Sequence, residues 1–276
     1  MAFSIDYQGV CISLNEHSSV RICGAAGAAG AAADDAAGEA AAGAAGAAGA
    51  AGVAGAVAGV GAAGEAAGAV AGSAASNIPG AIYVDPFRIC EVTHDAALVL
   101  VTHSHYDHLD PDSLHAIANE NTCFAAPHET VGSLINAGIP KERIVPVSPG
   151  CTYKIAGYSV ETVAAYNENK QFHPRENGWV GYVVEVSGVR VYVCGDTDNI
   201  PEIKDVNCGV MCVPAGGTYT TTPQEAAEMV AAMNHRPKLV IPEHYGTVVG
   251  SLDCGAAFAR ALKGLIGEET TVAIPY

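Results

Sequence analysis

Residues 102–110 read THSHYDHLD and directly follow the apolar run at 97–102, ALVLVT, which predicts a strand ending in a polar loop. Imidazole and carboxylate side chains are the ligands that a borderline divalent cation prefers, and a loop can turn several of them toward one point. A polar loop with incidental histidines is the competing interpretation, but burying such groups without a partner is costly. The segment therefore predicts a metal site, with its candidate ligands at His103, His105, Asp107 and His108.

The charge of the chain excludes several classes of partner. The 276 residues include 29 Asp and Glu against 13 Lys and Arg, for a net charge of −16, which disfavours binding to nucleic acid or to anionic membranes. The nine cysteines are odd in number and scattered, which favours a reducing compartment over a disulfide framework. The first ten residues have no basic segment typical of a signal peptide, so we expect a cytoplasmic protein with a small-molecule substrate.

A low-complexity tract interrupts the chain near its N-terminus. Residues 24–72 contain only Ala, Gly, Val and four acids. The charge-free part at 40–64 is long enough to span a membrane, but it is dominated by Ala and Gly and has no basic residue at either end. We expect one domain over residues 1–276, with a disordered insertion at 24–76 and no membrane span. Strand-like segments on both sides predict that the insertion lies between paired strands.

Strands and helices alternate through the rest of the sequence. The clearest helix start is Thr222, because Pro223 stands at the first helical position and Glu225 completes a capping box. A second helical pattern begins at Asp110 and Pro111, a third is marked by Val131, Leu134 and Ile135, and a C-terminal fourth by Phe258, Leu262 and Leu265. Such alternation favours layered α and β elements. Strands are predicted at residues 9–13, 19–23, 81–85, 97–102, 179–186, 190–194, 210–213, 238–241 and 271–274.

The His-x-His-x-Asp-His pattern at 103–108 resembles the motif of the metallo-β-lactamase-fold hydrolases at every position. Two more segments continue the resemblance, CGDT at 194–197 and PEHYG at 242–246. It implies an α/β (α+β) fold, a four-layer αββα sandwich with metals at one edge. By the resemblance, His103 and His105 bind one metal, Asp107 and His108 bind the second, Asp196 bridges both, and His244 completes the second site.

The third histidine of the first metal has two candidate positions in the segment 164–181. Related sequences often have a histidine directly after an aromatic residue, which corresponds here to Asn167. His173 is the nearest imidazole, and it precedes the strand that starts at Trp179. Because a catalytic metal of this kind commonly takes three protein ligands, we assign His173 to the site, with Asn167 as the competing position.

The segments VDPF at 84–87, PAGGTYT at 214–220 and PEHYGT at 242–247 resemble the L-ascorbate-6-phosphate lactonase-like and phospholipase D-like branch of the family. The resemblance implies a hydrolase with two divalent ions, Zn first, with Mn or Fe as alternatives. A metal-bridging hydroxide would attack an ester-type substrate: a lactone, a phosphodiester or a thioester. Asp107 would be the catalytic residue that orients the hydroxide and exchanges a proton with it.

Two other functions are compatible with this fold. A non-haem iron redox enzyme is one, but oxygen-reducing di-iron relatives typically have Glu where this sequence has His105. A non-catalytic metal-binding scaffold is the other, but such proteins usually lose ligands that are present here. The loop histidines His17 and His128 have two interpretations, as residues that approach the site from their loops or as ordinary polar residues, and the second is favoured.

Overall fold

The computed structural model describes residues 3–24 and 80–276. It contains two seven-stranded sheets, and the first is built from the N-terminal half of the chain. The predicted insertion at 24–76 lies outside the described residues, apart from Gly24. Three antiparallel strand pairs are followed by three parallel pairs in this sheet. In spatial order its strands are β1 (Phe3–Tyr7), β2 (Val10–Leu14), β3 (Val20–Gly24), β4 (Ala81–Val84), β5 (Ala96–Leu100), β6 (Cys123–Pro127) and β7 (Ile144–Val147).

The second sheet repeats this arrangement. Three antiparallel pairs again precede three parallel pairs along the chain. The spatial order of its strands equals their order in the sequence. They are β8 (Thr152–Ile155), β9 (Tyr158–Ala164), β10 (Val180–Val186), β11 (Val189–Val193), β12 (Val210–Pro214), β13 (Leu239–Glu243) and β14 (Thr271–Val272).

The two sheets pack face to face and helices cover their outer faces. One buried cluster combines side chains of both sheets, among them Leu98 and Tyr182. Two further clusters join the outer faces to helices, with Leu114 against the first sheet and Phe258 against the second. The predicted four-layer αββα sandwich is therefore confirmed. The helices are α1 (Pro111–Ile117), α2 (Val131–Asn136), α3 (Pro223–Ala232) and α4 (Asp253–Ile266).

Local sequence signals explain where these elements start. The side chain of Thr222 accepts a hydrogen bond from the backbone of Glu225, and the Glu225 carboxylate accepts one from the backbone of Thr222, which is the predicted capping box of α3. At the start of α1, the side chain of Asp110 accepts a hydrogen bond from the backbone N–H of Asp112. Among the described residues, no helix is both long and apolar enough to cross a bilayer.

The strands on either side of the insertion are neighbours in the first sheet, as the sequence predicts. β3 and β4 are antiparallel, with Val20 opposite Val84 and Ile22 opposite Ile82. The N-terminal end of β3 therefore lies beside the C-terminal end of β4. That edge of the sheet also holds the C-terminal ends of the parallel strands β5 and β6.

Candidate metal centre

The predicted metal ligands follow the C-terminal ends of strands from both sheets. The loop with the four-ligand motif follows β5 of the first sheet. Asp196 follows β11 and His244 follows β13, both in the second sheet, and His173 lies in the loop that joins β9 to β10. The site therefore forms where the two sheets meet at one edge, which is a common place for ligands in layered folds.

The motif loop is held to the first sheet by Asp85, the residue that follows β4. Its carboxylate accepts hydrogen bonds from the backbone N–H of Thr102 at 2.7 Å and from the Thr102 hydroxyl at 2.6 Å. A turn then brings the chain back on itself, since the N–H of His108 donates to the carbonyl of His105 at 3.0 Å. Side chains at the two ends of the turn consequently point to one region.

Four side chains form a first cluster, in which each offers a ligand atom within 4.8 Å of the others. Nε2 of His103 lies 3.0 Å from Nδ1 of His105, and Nε2 of His173 lies 3.0 Å from Oδ2 of Asp196. Ligands of one tetrahedral Zn²⁺ are about 3.4 Å apart for bonds of about 2.1 Å, so this spacing suits a single ion. The members are His103, His105, His173 and Asp196.

A second cluster contains His17, Asp107, His108 and His244, again within 4.8 Å of one another. Asp196 also reaches this cluster: its Oδ1 lies 3.3 Å from Nε2 of His108, and its Oδ2 lies 3.1 Å from Nε2 of His244. One carboxylate therefore lies between the two groups. The arrangement brings together all seven residues that the sequence singled out.

Several polar atoms of the two clusters are buried without a hydrogen-bond partner in the described part of the chain, which indicates whether metal ions fit there. Nε2 of His108, His173 and His244, and Oδ1 of Asp196, are buried and have no hydrogen-bond partner among the described residues. Burying such atoms unpaired costs free energy, and a cation that accepts their lone pairs would remove that cost. The donor set of nitrogen and oxygen atoms also suits Zn, Mn or Fe. The residues fit two divalent ions.

Burial and neighbouring side chains together determine the protonation states in the first cluster. It lowers the pKa of His103 well below the ordinary value for histidine, and it lowers the pKa of His105 as well. Burial alone would raise the pKa of Asp196, but the neighbouring His244 and His108 hold it well below its ordinary range. Neutral imidazoles and an ionised carboxylate are the protonation states that bind metals.

The second cluster carries a proton in the metal-free state. Burial disfavours protonation of His108, but Asp196 and Asp85 outweigh this and raise the pKa of His108 to about 10. Burial likewise opposes ionisation of Asp107, but the hydrogen bond from His17 outweighs it and lowers the pKa of Asp107 to about 2. Asp107 is therefore ionised at neutral pH.

Hydrogen bonds on the far side of the rings orient three of the histidines. Nδ1 of His108 lies 2.7 Å from Oδ2 of Asp85, and Nδ1 of His103 lies 2.9 Å from the hydroxyl of Thr102. Nδ1 of His173 lies 3.1 Å from the carbonyl of Tyr219. Such contacts fix the ring orientation and leave the other nitrogen available to a metal.

The two candidate positions for the third histidine have different surroundings. The ring of His173 is buried within the first cluster, with its centroid 5.2 Å from that of His103. Asn167 instead uses its amide N–H groups to donate to the carbonyls of Phe172 and Tyr219, at 2.9 and 2.7 Å. Asn167 thus holds the loop that presents His173.

His17 lies at the site, which is the less favoured of the two interpretations that the sequence allows for this loop histidine. The sequence favours an ordinary polar loop residue, but the side chain of His17 is fully buried in the second cluster. The cause is topological, because the loop between β2 and β3 ends beside β4 at the same sheet edge. The neighbouring Ser18 and Ser19 are also buried, a departure from a solvated loop that the sequence does not reveal. His128 is exposed, as expected.

Strained backbone marks the same edge. His17, Asp85, His173 and His244 all have left-handed backbone conformations, with φ of 61°, 47°, 59° and 55°. For residues other than glycine this conformation costs of order 1 kcal/mol each, and it persists where surrounding contacts impose it. Three of these residues are members of the two clusters, and Asp85 binds His108, but six other non-glycine residues among those described also have positive φ.

Two packed mixed sheets, helices on both outer faces and these clusters at one edge define a protein of the metallo-β-lactamase fold. A family model described as the beta-lactamase superfamily domain matches residues 76–244, and the chain belongs to this superfamily.

Similar proteins agree with this assignment. A UPF0173 metal-dependent hydrolase of Thermococcus onnurineus is 28% identical over 219 residues, covering 74% of this chain and 93% of the relative. One from Thermus thermophilus is 29% identical over 202 residues, covering 68% and 86%. A crystal structure from Parabacteroides distasonis has a TM-score of 0.64 at 22% identity, covering 100% of this chain and 98% of that chain. The predictions of the fold and of a metal-dependent hydrolase of the metallo-β-lactamase superfamily are confirmed.

Proposed function

We propose that this chain is a binuclear hydrolase of ester-type small molecules, namely lactones, phosphodiesters or thioesters. The observation that carries the proposal is the position of Asp196 between two clusters of imidazole and carboxylate side chains. Within the superfamily, the segments VDPF, PAGGTYT and PEHYGT support a position near the L-ascorbate-6-phosphate lactonase-like and phospholipase D-like branch.

The proposed ligand sets follow the clusters. His103, His105 and His173 would hold the first ion, and Asp107, His108 and His244 the second. Asp196 would contact both ions, since its two oxygens face imidazoles of both groups. We propose Zn as the resident metal, with Mn or Fe as alternatives of similar ligand preference.

Divalent ions held by these residues would lower the pKa of a bound water toward neutrality and would so supply a nucleophile for hydrolysis. The chain itself contributes Asp107, which is ionised, nearly buried and next to both His108 and His244. Its carboxylate can orient the nucleophile and hold a proton during the reaction. Trp179 packs against the rings of His103 and His105, at centroid distances of 4.7 and 5.0 Å, and shields the first cluster from water.

The cysteines and the net charge indicate the compartment and the kind of substrate. The nine cysteines are all free, which supports the prediction of a reducing, cytoplasmic environment. The net charge of −16 supports a small-molecule substrate over nucleic acid.

Elemental analysis of the purified protein, combined with hydrolysis assays, tests the proposal. The assays use generic lactone, phosphodiester and thioester substrates before chelation, after chelation and after metal is restored. About two equivalents of Zn or Mn with chelator-sensitive turnover would support the binuclear hydrolase. Bound iron with a redox-active spectrum and no hydrolysis would favour the non-haem iron redox enzyme. If the protein binds no metal even after reconstitution, a non-catalytic scaffold is the remaining function.

A further inference from the structure

His17 is a buried residue of the second cluster, but neither of the two proposed ligand sets includes it. It lies in the loop between β2 and β3, and its side chain is fully buried. Its Nε2 lies 3.0 Å from Oδ2 of Asp107, and its ring centroid lies 3.9 Å from that of His244 at an interplanar angle of 44°. The backbone N–H of His244 also donates to the carbonyl of His17, at 3.3 Å.

The number of donors argues against His17 as a further metal ligand. Asp107, His108 and His244 with the shared Asp196 already give the second ion four protein donors. A catalytic site keeps a coordination position open for water or substrate, and a fifth protein ligand would occupy it.

The ring geometry gives an independent argument. Two imidazoles that bind one ion through Nε2, with bonds of about 2.1 Å at tetrahedral angles, have centroids about 5 Å apart. The pair His108 and His244 satisfies this, with 5.4 Å between centroids. The pair His17 and His244 is much closer at 3.9 Å, so the His17 ring packs against the His244 ring.

The hydrogen-bond pattern fixes the tautomer. Nδ1 of His17 is buried and has no partner among the described residues, so a proton there would be a buried donor without an acceptor. The proton therefore lies on Nε2, which donates to the carboxylate of Asp107. The ring of His17 also makes an edge contact with Phe87, at a centroid distance of 6.1 Å.

We propose that His17 is a positioning residue for the second metal site, an inference that rests on the binuclear site proposed above. It acts through two ligands of that site: it fixes the rotation of the Asp107 carboxylate by a hydrogen bond, and it fixes the plane of the His244 ring by packing. Outer-shell partners of this kind typically change metal affinity by 10- to 100-fold when they are removed.

Three variants separate the contributions of the hydrogen bond and the ring. His17→Gln keeps an N–H near the position of Nε2 but loses the ring, His17→Phe keeps a ring but loses the donor, and His17→Ala loses both. His128→Gln, at an exposed loop histidine, is the matched control. The readouts are metal equivalents by elemental analysis after dialysis, and the visible spectrum of the Co²⁺-substituted protein.

We expect His17→Ala to bind the second ion 10- to 100-fold more weakly while the first equivalent stays bound, which also shows that the variant is folded. His17→Gln and His17→Phe should each recover part of the loss, and the Co²⁺ band of the second site should weaken without a change in the number of nitrogen ligands. Two equivalents with an unchanged spectrum in all three variants would overturn the proposal. A loss as large in His17→Gln as in His17→Ala, with the spectrum of one fewer nitrogen ligand, would also overturn it, because His17 would then be a ligand.

These outcomes are distinct from failure of the proposed function. If the unmodified protein binds no second ion, the binuclear site itself is absent. If it binds two ions but hydrolyses nothing, the metal-binding comparison of the His17 variants still decides the role of His17.

Discussion

Oδ2 of Asp85 lies 2.7 Å from Nδ1 of His108, and neither side chain has any exposed surface. The same carboxylate binds the backbone and the hydroxyl of Thr102, so it fixes both the start of the motif loop and the orientation of its last histidine. With Nδ1–H pointing at Asp85, Nε2 of His108 is left as the metal-binding atom.

Replacing Asp85 with Asn should release the second metal while the fold is kept. The amide NH₂ would face Nδ1 of His108 and favour the tautomer with its proton on Nε2, which cannot bind a cation. We expect second-site affinity to fall by about 10- to 100-fold and the free energy of unfolding to fall by about 1–3 kcal/mol. Elemental analysis and denaturant unfolding measure the two effects. Full metal occupancy in Asp85→Asn would contradict the orienting role.

His173→Ala and Asn167→Ala distinguish the two candidate positions of the first site. His173→Ala should lose the first equivalent of metal, because it removes a donor 3.0 Å from Asp196. Asn167→Ala should keep that equivalent with reduced affinity, because the amide only holds the loop through Phe172 and Tyr219. The measurement is the metal stoichiometry of both variants after dialysis. If Asn167→Ala loses the first equivalent and His173→Ala keeps it, His173 is excluded as the ligand.

Metal uptake should release at least one proton near neutral pH. Although burial lowers it, the pKa of His108 is raised by Asp196 and Asp85 from 6.5 to about 10, so the metal-free protein carries this proton. The stabilisation from it is complete below about pH 6.5 and is lost as the pH rises through about 10. Metal binds only the deprotonated ring, so affinity should rise by about tenfold per pH unit between pH 7 and 8.5. Calorimetry in buffers of different ionisation enthalpy counts the protons, and pH-independent affinity would refute the prediction.

Asp107→Asn should reduce hydrolysis by about 100- to 10,000-fold, the usual contribution of a group that takes a proton in the transition state. The amide keeps an oxygen donor for the second ion but cannot accept a proton. Steady-state rates are compared at equal metal content, which elemental analysis verifies for each preparation. A variant with both metals and an unchanged rate would remove Asp107 from the catalytic role.

Replacing residues 25–79 with a short Gly-containing turn should leave metal content and activity unchanged. β3 and β4 are already adjacent and antiparallel, so a turn can join them directly. For an insertion without fixed structure, as the sequence predicts, shortening the loop should stabilise the fold by about 2 kcal/mol. Thermal unfolding and metal analysis test this, and loss of the fold would show that the insertion contributes to stability.

The sequence predicted most residues of the two clusters because these candidate ligands follow strand ends. His103, His105, Asp107 and His108 belong to one short loop, so their spacing alone indicates that they converge. Asp196 and His244 each follow a strand in a segment that resembles the family. The layered fold followed from alternating strands and helices, whose boundaries were marked by signals such as the Thr222 capping box.

Other parts of the site depend on contacts between residues that are far apart along the chain, and local sequence patterns do not predict such contacts. His17 contacts Asp107 across 90 positions of the chain, and only the pairing of β3 with β4 brings its loop to the site. The choice between Asn167 and His173 depended on how the loop after β9 folds, and that loop is set by contacts with Tyr219, about fifty residues later.

Both clusters combine side chains from the two sheets: His103 and His105 face His173 and Asp196, and Asp107 and His108 face His244. An ion in either place would therefore act as a cross-link across the seam of the sandwich, joining parts of the chain that are far apart in sequence. By mass action, an ion at one hundred times its dissociation constant would add about 2.7 kcal/mol to the folded state. The folded state would then resist unfolding better where metal is plentiful, so metal supply would affect the stability of this protein as well as its activity.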